Sequence, residues 1–204
     1  MSSNAEPMLS ADEALLRLKA GNQRFVAGTA RFPTMQKEIL ADLVKGQHPY
    51  ATILSCSDSR VPPELIFDAG FGELFIVRVA GNVVSPEVAG SLQYAGRHLK
   101  TPLFVVLGHT NCGAVAAAVE ARLQGARQPS RIQLLVDCIL PGLIDLDLKL
   151  TPEAMLARAV EANVSWSMRQ ILETPEGRQR QAEGLLKLVG AVYEIETGRV
   201  RFLP

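Results

Sequence analysis

The run Leu103-Phe104-Val105-Val106-Leu107-Gly108-His109-Thr110-Asn111-Cys112-Gly113-Ala114-Val115-Ala116-Ala117-Ala118-Val119 decides the fold. Its first five residues are all apolar and do not alternate with polar ones. A strand that is apolar on both sides belongs in a parallel sheet covered on both faces. From Cys112 onward the pattern changes to small residues, Ala114 to Ala118 above all, which predict a helix able to pack close to that sheet. A buried strand, a short turn and a helix form the repeating unit of an α/β fold.

Two further runs read the same way. Residues 50–54 and 74–79 are short and nearly all apolar, and residues 86–99, between the second and third runs, have helical character. Parallel strands joined through helices take right-handed crossovers. Upstream, Ser10 and Glu13 make a capping box, and Leu15, Leu18, Asn22 and Phe25 mark one face of a first helix that ends before Gly28. Residues 31–38 read as an irregular crossing arm interrupted by Pro33, and residues 39–45 as a helix before the turn Gly46-Gln47-His48-Pro49. Downstream, residues 124–130 are a polar loop and residues 132–150 are mixed, broken at Pro141-Gly142. Residues 153–172 predict a long helix begun at Thr151-Pro152. Residues 185–194 and 199–203 predict a last core strand and a hairpin around Thr197-Gly198. With no repeat or linker in between, residues 1–204 read as one domain.

Composition narrows the function classes. Lys plus Arg and Asp plus Glu both number 21, so no net field attracts nucleic acid or an anionic membrane. No apolar run approaches the roughly 18–20 residues that span a bilayer, and residues 1–9 lack the basic flank and apolar core of a secretory signal. Three cysteines fit a reducing compartment better than a disulfide framework, so the cytoplasm is the expected location.

Three of the six cysteines and histidines stand in two short motifs: Cys56 in Cys56-Ser57-Asp58-Ser59-Arg60, and His109 with Cys112 in His109-Thr110-Asn111-Cys112. Both motifs follow a strand directly, where open α/β sheets place their sites. Two thiolates and an imidazole are the ligands of a catalytic zinc that keeps a fourth position open. Gly108 and Gly113 flank the second motif and suit a close approach of backbone to metal, and Cys112 at a helix N-terminus is favoured as a thiolate. The competing readings are a pair of buried structural thiols with a satisfied core histidine, or a redox disulfide between Cys56 and Cys112.

These motifs resemble those of the β-class carbonic anhydrases, with C-S-D-S-R followed after about fifty residues by H-x-x-C. Val61-Pro62-Pro63-Glu64, the stretch from Phe75 to Asn82 and the final Val192-Tyr193-Glu194-Ile195-Glu196-Thr197-Gly198 extend the likeness over nearly the whole chain. The resemblance implies a sheet of about four parallel strands plus an antiparallel edge, flanked by helices. It also implies a helical arm, residues 1–45, packed on a dimer partner, with a dimer or tetramer as the working unit. It further implies a zinc enzyme that hydrates carbon dioxide reversibly to bicarbonate and a proton. Asp58 would orient the hydroxide, or cap the zinc as a fourth ligand in a closed state, and Arg60 would hold Asp58. Gln47, reaching across a dimer interface, and the Gly113 N–H would receive bicarbonate, with Phe75, Ala80 and Tyr94 lining an apolar pocket.

Departures from the family pattern matter too. Ala80 stands where bulkier aliphatic residues are common, which implies a wider pocket and keeps carbonyl sulfide or carbon disulfide hydrolysis open as the activity. Ile53 and Val77 replace the Trp and His that mark a bicarbonate-inhibited subgroup, and Ala114 replaces a second Gly. A non-enzymatic zinc or bicarbonate-binding protein is the remaining rival, although structural zinc sites normally close with four protein ligands. The other candidates read plainly. His48 belongs to a solvated turn, His98 to a helix end, and Cys138 to an apolar setting. Trp166 is a packing residue of the long helix, and Arg178-Gln179-Arg180 a solvated charge run.

Overall fold

The apolar runs do become buried strands. The protein, seen here as a computed structural model, is described at residues 9–31, 41 and 43–204. The expected arm and second helix fall mostly on residues 32–40 and 42 and lie outside the described residues. Strands β1 (Ala51–Ser55), β2 (Leu74–Arg78), β3 (Leu103–His109), β4 (Lys187–Glu194) and β5 (Arg199–Phe202) form one sheet in the order β2-β1-β3-β4-β5. The first four are parallel and β5 runs antiparallel to β4, as the resemblance implied.

Every residue of β1 and β3 is buried, whereas β2 is only half-buried. The reason is position, since β1 and β3 are interior strands and β2 is an edge. Leu54, Phe104, Val106 and Val192 point to one face of the sheet, and Ile53, Leu103, Val105 and Leu107 to the other.

The second face is covered by α1 (Ala11–Val26) and α2 (Pro63–Ile66). The capping box forms as expected: the Glu13 N–H donates to Ser10 Oγ at 3.3 Å and the Ser10 N–H donates to Glu13 Oε2 at 2.8 Å. Ala14 and Leu18 are fully buried against the sheet. Asn22 locks the helix down. Its Nδ2 donates to the carbonyls of Ile66 and Gly198, and its Oδ1 accepts from the Val200 N–H. The buried stripe of this helix thus lies on its own sheet, with Asn22 and the Ala14–Leu18 face matched to β5 and α2 of the same chain.

The first face is covered by α3 (Pro86–Tyr94), α4 (Gly113–Gln124), α5 (Ser130–Ile139) and α6 (Pro152–Glu173). Caps from Ser85 and Thr151 start α3 and α6. The expected helix 86–99 is real but changes pitch, with a π-helical turn at Ala95–Leu99. Two helices appear where none was expected. Helix α5 lies in the stretch read as mixed, and α7 (Pro175–Ala182) contains the arginine run. Arg180 is accordingly no free surface charge: it is half-buried, and its Nη2 donates to the Leu185 carbonyl at 3.0 Å. Among the described residues no helix is long and apolar enough to cross a membrane.

Candidate metal centre

The parallel register sets the site. Ser55 at the end of β1 pairs with Leu107 of β3, so Cys56 and His109 emerge at the same carboxyl-terminal edge of two adjacent strands. Cys112 follows as the N-cap of α4. The donor atoms of Cys56, His109 and Cys112 lie within 4.8 Å of one another, and all three residues are buried.

Their surroundings suit a cation. His109 Nδ1 lies 2.9 Å from the Thr110 carbonyl and donates its proton there, which leaves Nε2 buried without a hydrogen-bond partner. Thr110 is itself fixed, its N–H donating to the Tyr193 carbonyl and its Oγ1 accepting from the Ile195 N–H. The two thiols behave as a pair. The hydrogen bond from Cys112 holds the Cys56 thiol far below the ordinary thiol range, and the N–H groups of Gly81 and Asp58 add to this against the effect of burial. Giving that bond, together with burial, pushes Cys112 up. Two buried sulfurs in hydrogen-bond contact, beside an unpartnered ring nitrogen, are a donor set that a borderline-soft divalent cation completes. Both thiols are free, so no disulfide joins them.

Asp58 and Arg60 sit over this group. Arg60 Nε donates to Asp58 Oδ1 at 2.9 Å and Nη2 to Oδ2 at 2.8 Å, a bidentate pair, and the Arg60 N–H donates to Oδ1 as well. Arg60 above all holds the Asp58 carboxyl well below the usual carboxylate range. Asp58 Oδ2 lies 3.9 Å from His109 Nε2. The carboxylate thus borders the donor group while both its oxygens are engaged by Arg60.

The pocket residues are brought together in part. Phe75 and Tyr94 have ring centroids 6.2 Å apart, and Tyr94 and His98 5.0 Å. Ala80 is half-buried in the short turn Ala80–Asn82 after β2. The Gly113 position is exposed and a Cβ built there meets nothing within 4 Å. Gln47 is also exposed, and among the described residues no hydrogen bond ties it to the metal group of its own chain.

Some expectations shift. Gly108 faces helix α6 rather than the cluster, since a Cβ there would stand 2.6 Å from Val164 Cγ2. Cys138 is half-buried, not fully so, and Trp166 packs with its Nε1 donating to the Cys138 carbonyl. Other residues that hold the site escaped sequence reasoning. Arg78 donates from Nε to the Cys56 carbonyl and from Nη2 to the Asp58 carbonyl, fixing the loop that carries both side chains. Gly81 donates its N–H to Cys56 Sγ at 3.3 Å, and Asn163 and Ser167 of α6 hold the Gly81 turn. The only signal for those two was a pair of polar residues four apart on the inner face of an amphipathic helix.

Comparison with known proteins agrees with this geometry. Residues 51–200 match the sequence model of the carbonic anhydrase family. The chain is 39% identical over 184 residues to carbonic anhydrase 2 of Mycobacterium tuberculosis, covering 89% of this chain and 87% of that one. It is 38% identical over 187 residues to a carbonic anhydrase of Mycolicibacterium smegmatis, covering 90% and 88%. Its fold is similar to the crystal structure of the β-carbonic anhydrase CafA of Aspergillus fumigatus, with a TM-score of 0.72, 28% identity, and 94% and 90% of the two chains covered. With the mainly parallel sheet, the Cys-His-Cys group and the match over most of its length, the chain belongs to the β class of the carbonic anhydrase family of enzymes.

Proposed function

We propose that the protein catalyses the reversible hydration of carbon dioxide to bicarbonate and a proton, with zinc held by Cys56, His109 and Cys112. The carrying observation is the cluster of three buried soft donors with the unpartnered His109 Nε2, bordered by a carboxylate that Arg60 holds ionised. When bound, the zinc would supply Lewis acidity that brings a water's ionisation toward neutral pH. The protein side chains divide the remaining work. Asp58 accepts a hydrogen bond from the attacking hydroxyl and aims its lone pair at the substrate carbon, while Arg60 keeps Asp58 charged and oriented. As the carbon–oxygen bond forms, one carbonyl π pair of carbon dioxide moves onto oxygen, and the Gly113 N–H and the Gln47 amide receive the resulting bicarbonate. Phe75, Ala80 and Tyr94 provide an apolar wall that favours an uncharged substrate.

Self-association belongs to the same reading. Gln47 stands exposed and untied to its own site, and Tyr94 is 47% exposed, so a second copy of the chain is the simplest means of closing the pocket. Three free cysteines fit a reducing compartment such as the cytoplasm. The test is stopped-flow hydration of carbon dioxide by zinc-quantified protein across neutral to alkaline pH, beside Asp58→Ala and Cys112→Ser. Zinc-loaded protein with no hydration above the uncatalysed rate would overturn the reading, and faster turnover of carbonyl sulfide would reassign the substrate.

A further inference from the structure

Helix α6 brings two polar side chains onto an otherwise apolar inner face. Asn163 and Ser167 are four residues apart and buried. Asn163 Nδ2 donates to the Gly81 carbonyl at 2.8 Å, and Ser167 Oγ donates to the Asn82 carbonyl at 3.0 Å. Both acceptors belong to the turn Ala80–Asn82, where two successive residues take left-handed backbone conformations, Gly81 at φ 71° and Asn82 at φ 45°. A Cβ at Gly81 would also meet Ile139 Cδ1 at 2.9 Å and Ala114 Cβ at 3.1 Å. This strained, tightly packed turn carries the Gly81 N–H that reaches Cys56 Sγ.

Asn163 is an expensive choice for packing alone. Its Oδ1 is buried without a partner, as is the Asn82 Nδ2. An apolar residue of similar size would strand neither side-chain oxygen nor nitrogen at position 163. What the amide adds is a grip on the Gly81 peptide from a helix more than eighty residues away in sequence.

We propose that Asn163 is a positioning residue of the metal centre: with Ser167 it clamps the Ala80–Asn82 turn so that the Gly81 N–H stays on the Cys56 sulfur. The inference rests on the metal reading of Cys56, His109 and Cys112. An N–H bond to a thiolate draws electron density from the sulfur and weakens its donation to a cation. Where two thiolates already balance a dication, that bond keeps the ion electron-poor. Outer partners of this kind typically change metal affinity by about 10–100-fold when removed.

The test uses the full-length protein loaded with cobalt(II), whose thiolate charge-transfer bands report the electron richness of the coordinating sulfurs, together with zinc affinity by chelator competition. Asn163→Leu, which fills the space without a donor, is expected to move the band to longer wavelength, because the sulfur regains electron density, and to weaken zinc about tenfold, because loss of the clamped turn's orientation of Cys56 outweighs the stronger donation. Ser167→Ala is expected to move it the same way by less. Met155→Ala, buried on the same helix but away from the turn, lowers thermal stability and leaves the band in place. If Asn163→Leu does not fold, Ser167→Ala carries the test alone. A folded Asn163→Leu or Ser167→Ala protein with the native band and affinity overturns the inference while leaving the metal reading intact. An absence of thiolate charge-transfer bands in the native protein overturns the metal reading, and the inference with it.

Discussion

Substituting Gly108 by alanine should damage the protein through helix α6. Gly108 precedes His109 on β3, and the added Cβ would stand 2.6 Å from Val164 Cγ2 and 3.3 Å from Val160 Cγ1. Ordinary contact begins at 3.4 Å, so the nearer methyl must retreat by about 0.8 Å. It has nowhere to go, because Val164 is fully buried and Val160 is 2% exposed. Overpacking of this size costs about 1–3 kcal/mol. For a domain of this length that is a fall in Tm of about 2–12 °C, measured by calorimetry or circular dichroism. The clash has a defined partner, so Val164→Ala should relieve it. Alone, Val164→Ala loses about 2 kcal/mol to its cavity, but the double variant should be more stable than the sum of the two single losses by at least about 1 kcal/mol. Strict additivity, or a Gly108→Ala protein with the native Tm, would refute the assignment of Gly108 to helix packing.

Three other outcomes follow from the structure. On the zinc reading, Cys112→Ser should abolish stoichiometric zinc, read by elemental analysis after dialysis, while the circular dichroism spectrum stays native, since the sheet is held by apolar packing on both of its faces. Asp68→Asn should cost about 2 kcal/mol at pH 7 in urea unfolding, because Asp68 is buried and accepts from Arg24 Nε at 2.5 Å and from the Arg31 N–H at 2.9 Å. Burial pushes the Asp68 carboxyl up, but Arg24 and Arg31 outweigh it and hold it below 3.8, so its contribution is full above that pH and fades as pH falls further. The gap between the Asp68→Asn variant and the native protein should therefore be constant from pH 5 to 8 and close below about pH 3.8. Asn22→Leu should lower stability by about 3 kcal/mol, as it deprives the Ile66 and Gly198 carbonyls and the Val200 N–H of a partner together. A loss under about 1 kcal/mol there would mean that water takes over all three groups.

What was legible in the sequence was whatever depends on short-range pattern. Unbroken apolar runs located β1 and β3 because interior parallel strands are covered on both faces, and the turn at Thr197-Gly198 announced the β4–β5 hairpin. Cys56, His109 and Cys112 were visible because ligands at strand ends need only local spacing plus a parallel register to meet. Partners that act across the fold were hidden. Arg78 looked like any strand-end arginine until the register set it beside the Cys56 and Asp58 carbonyls. Asn163 meets Gly81 only once α6 lies across the sheet. Helix α1 was legible only as an amphipathic stripe: periodicity predicts burial against something without saying which surface, and the bonds from Asn22 to Gly198 and Val200 appear only in the fold.

The central place of β1 in the sheet has a consequence for how the protein is made. Cys56 hangs from a strand that needs β2 on one side and β3 on the other, and His109 and Cys112 lie about fifty residues further along the chain. A ribosome-bound fragment that has emerged as far as β2 therefore exposes one lone thiol and no chelate. Only after β3 and the start of α4 have left the exit tunnel does a site exist, and the helix that clamps it, α6, emerges later still. The three donors are thus complete little more than halfway along the chain, and the side chains that hold the Gly81 turn follow only with Asn163 and Ser167.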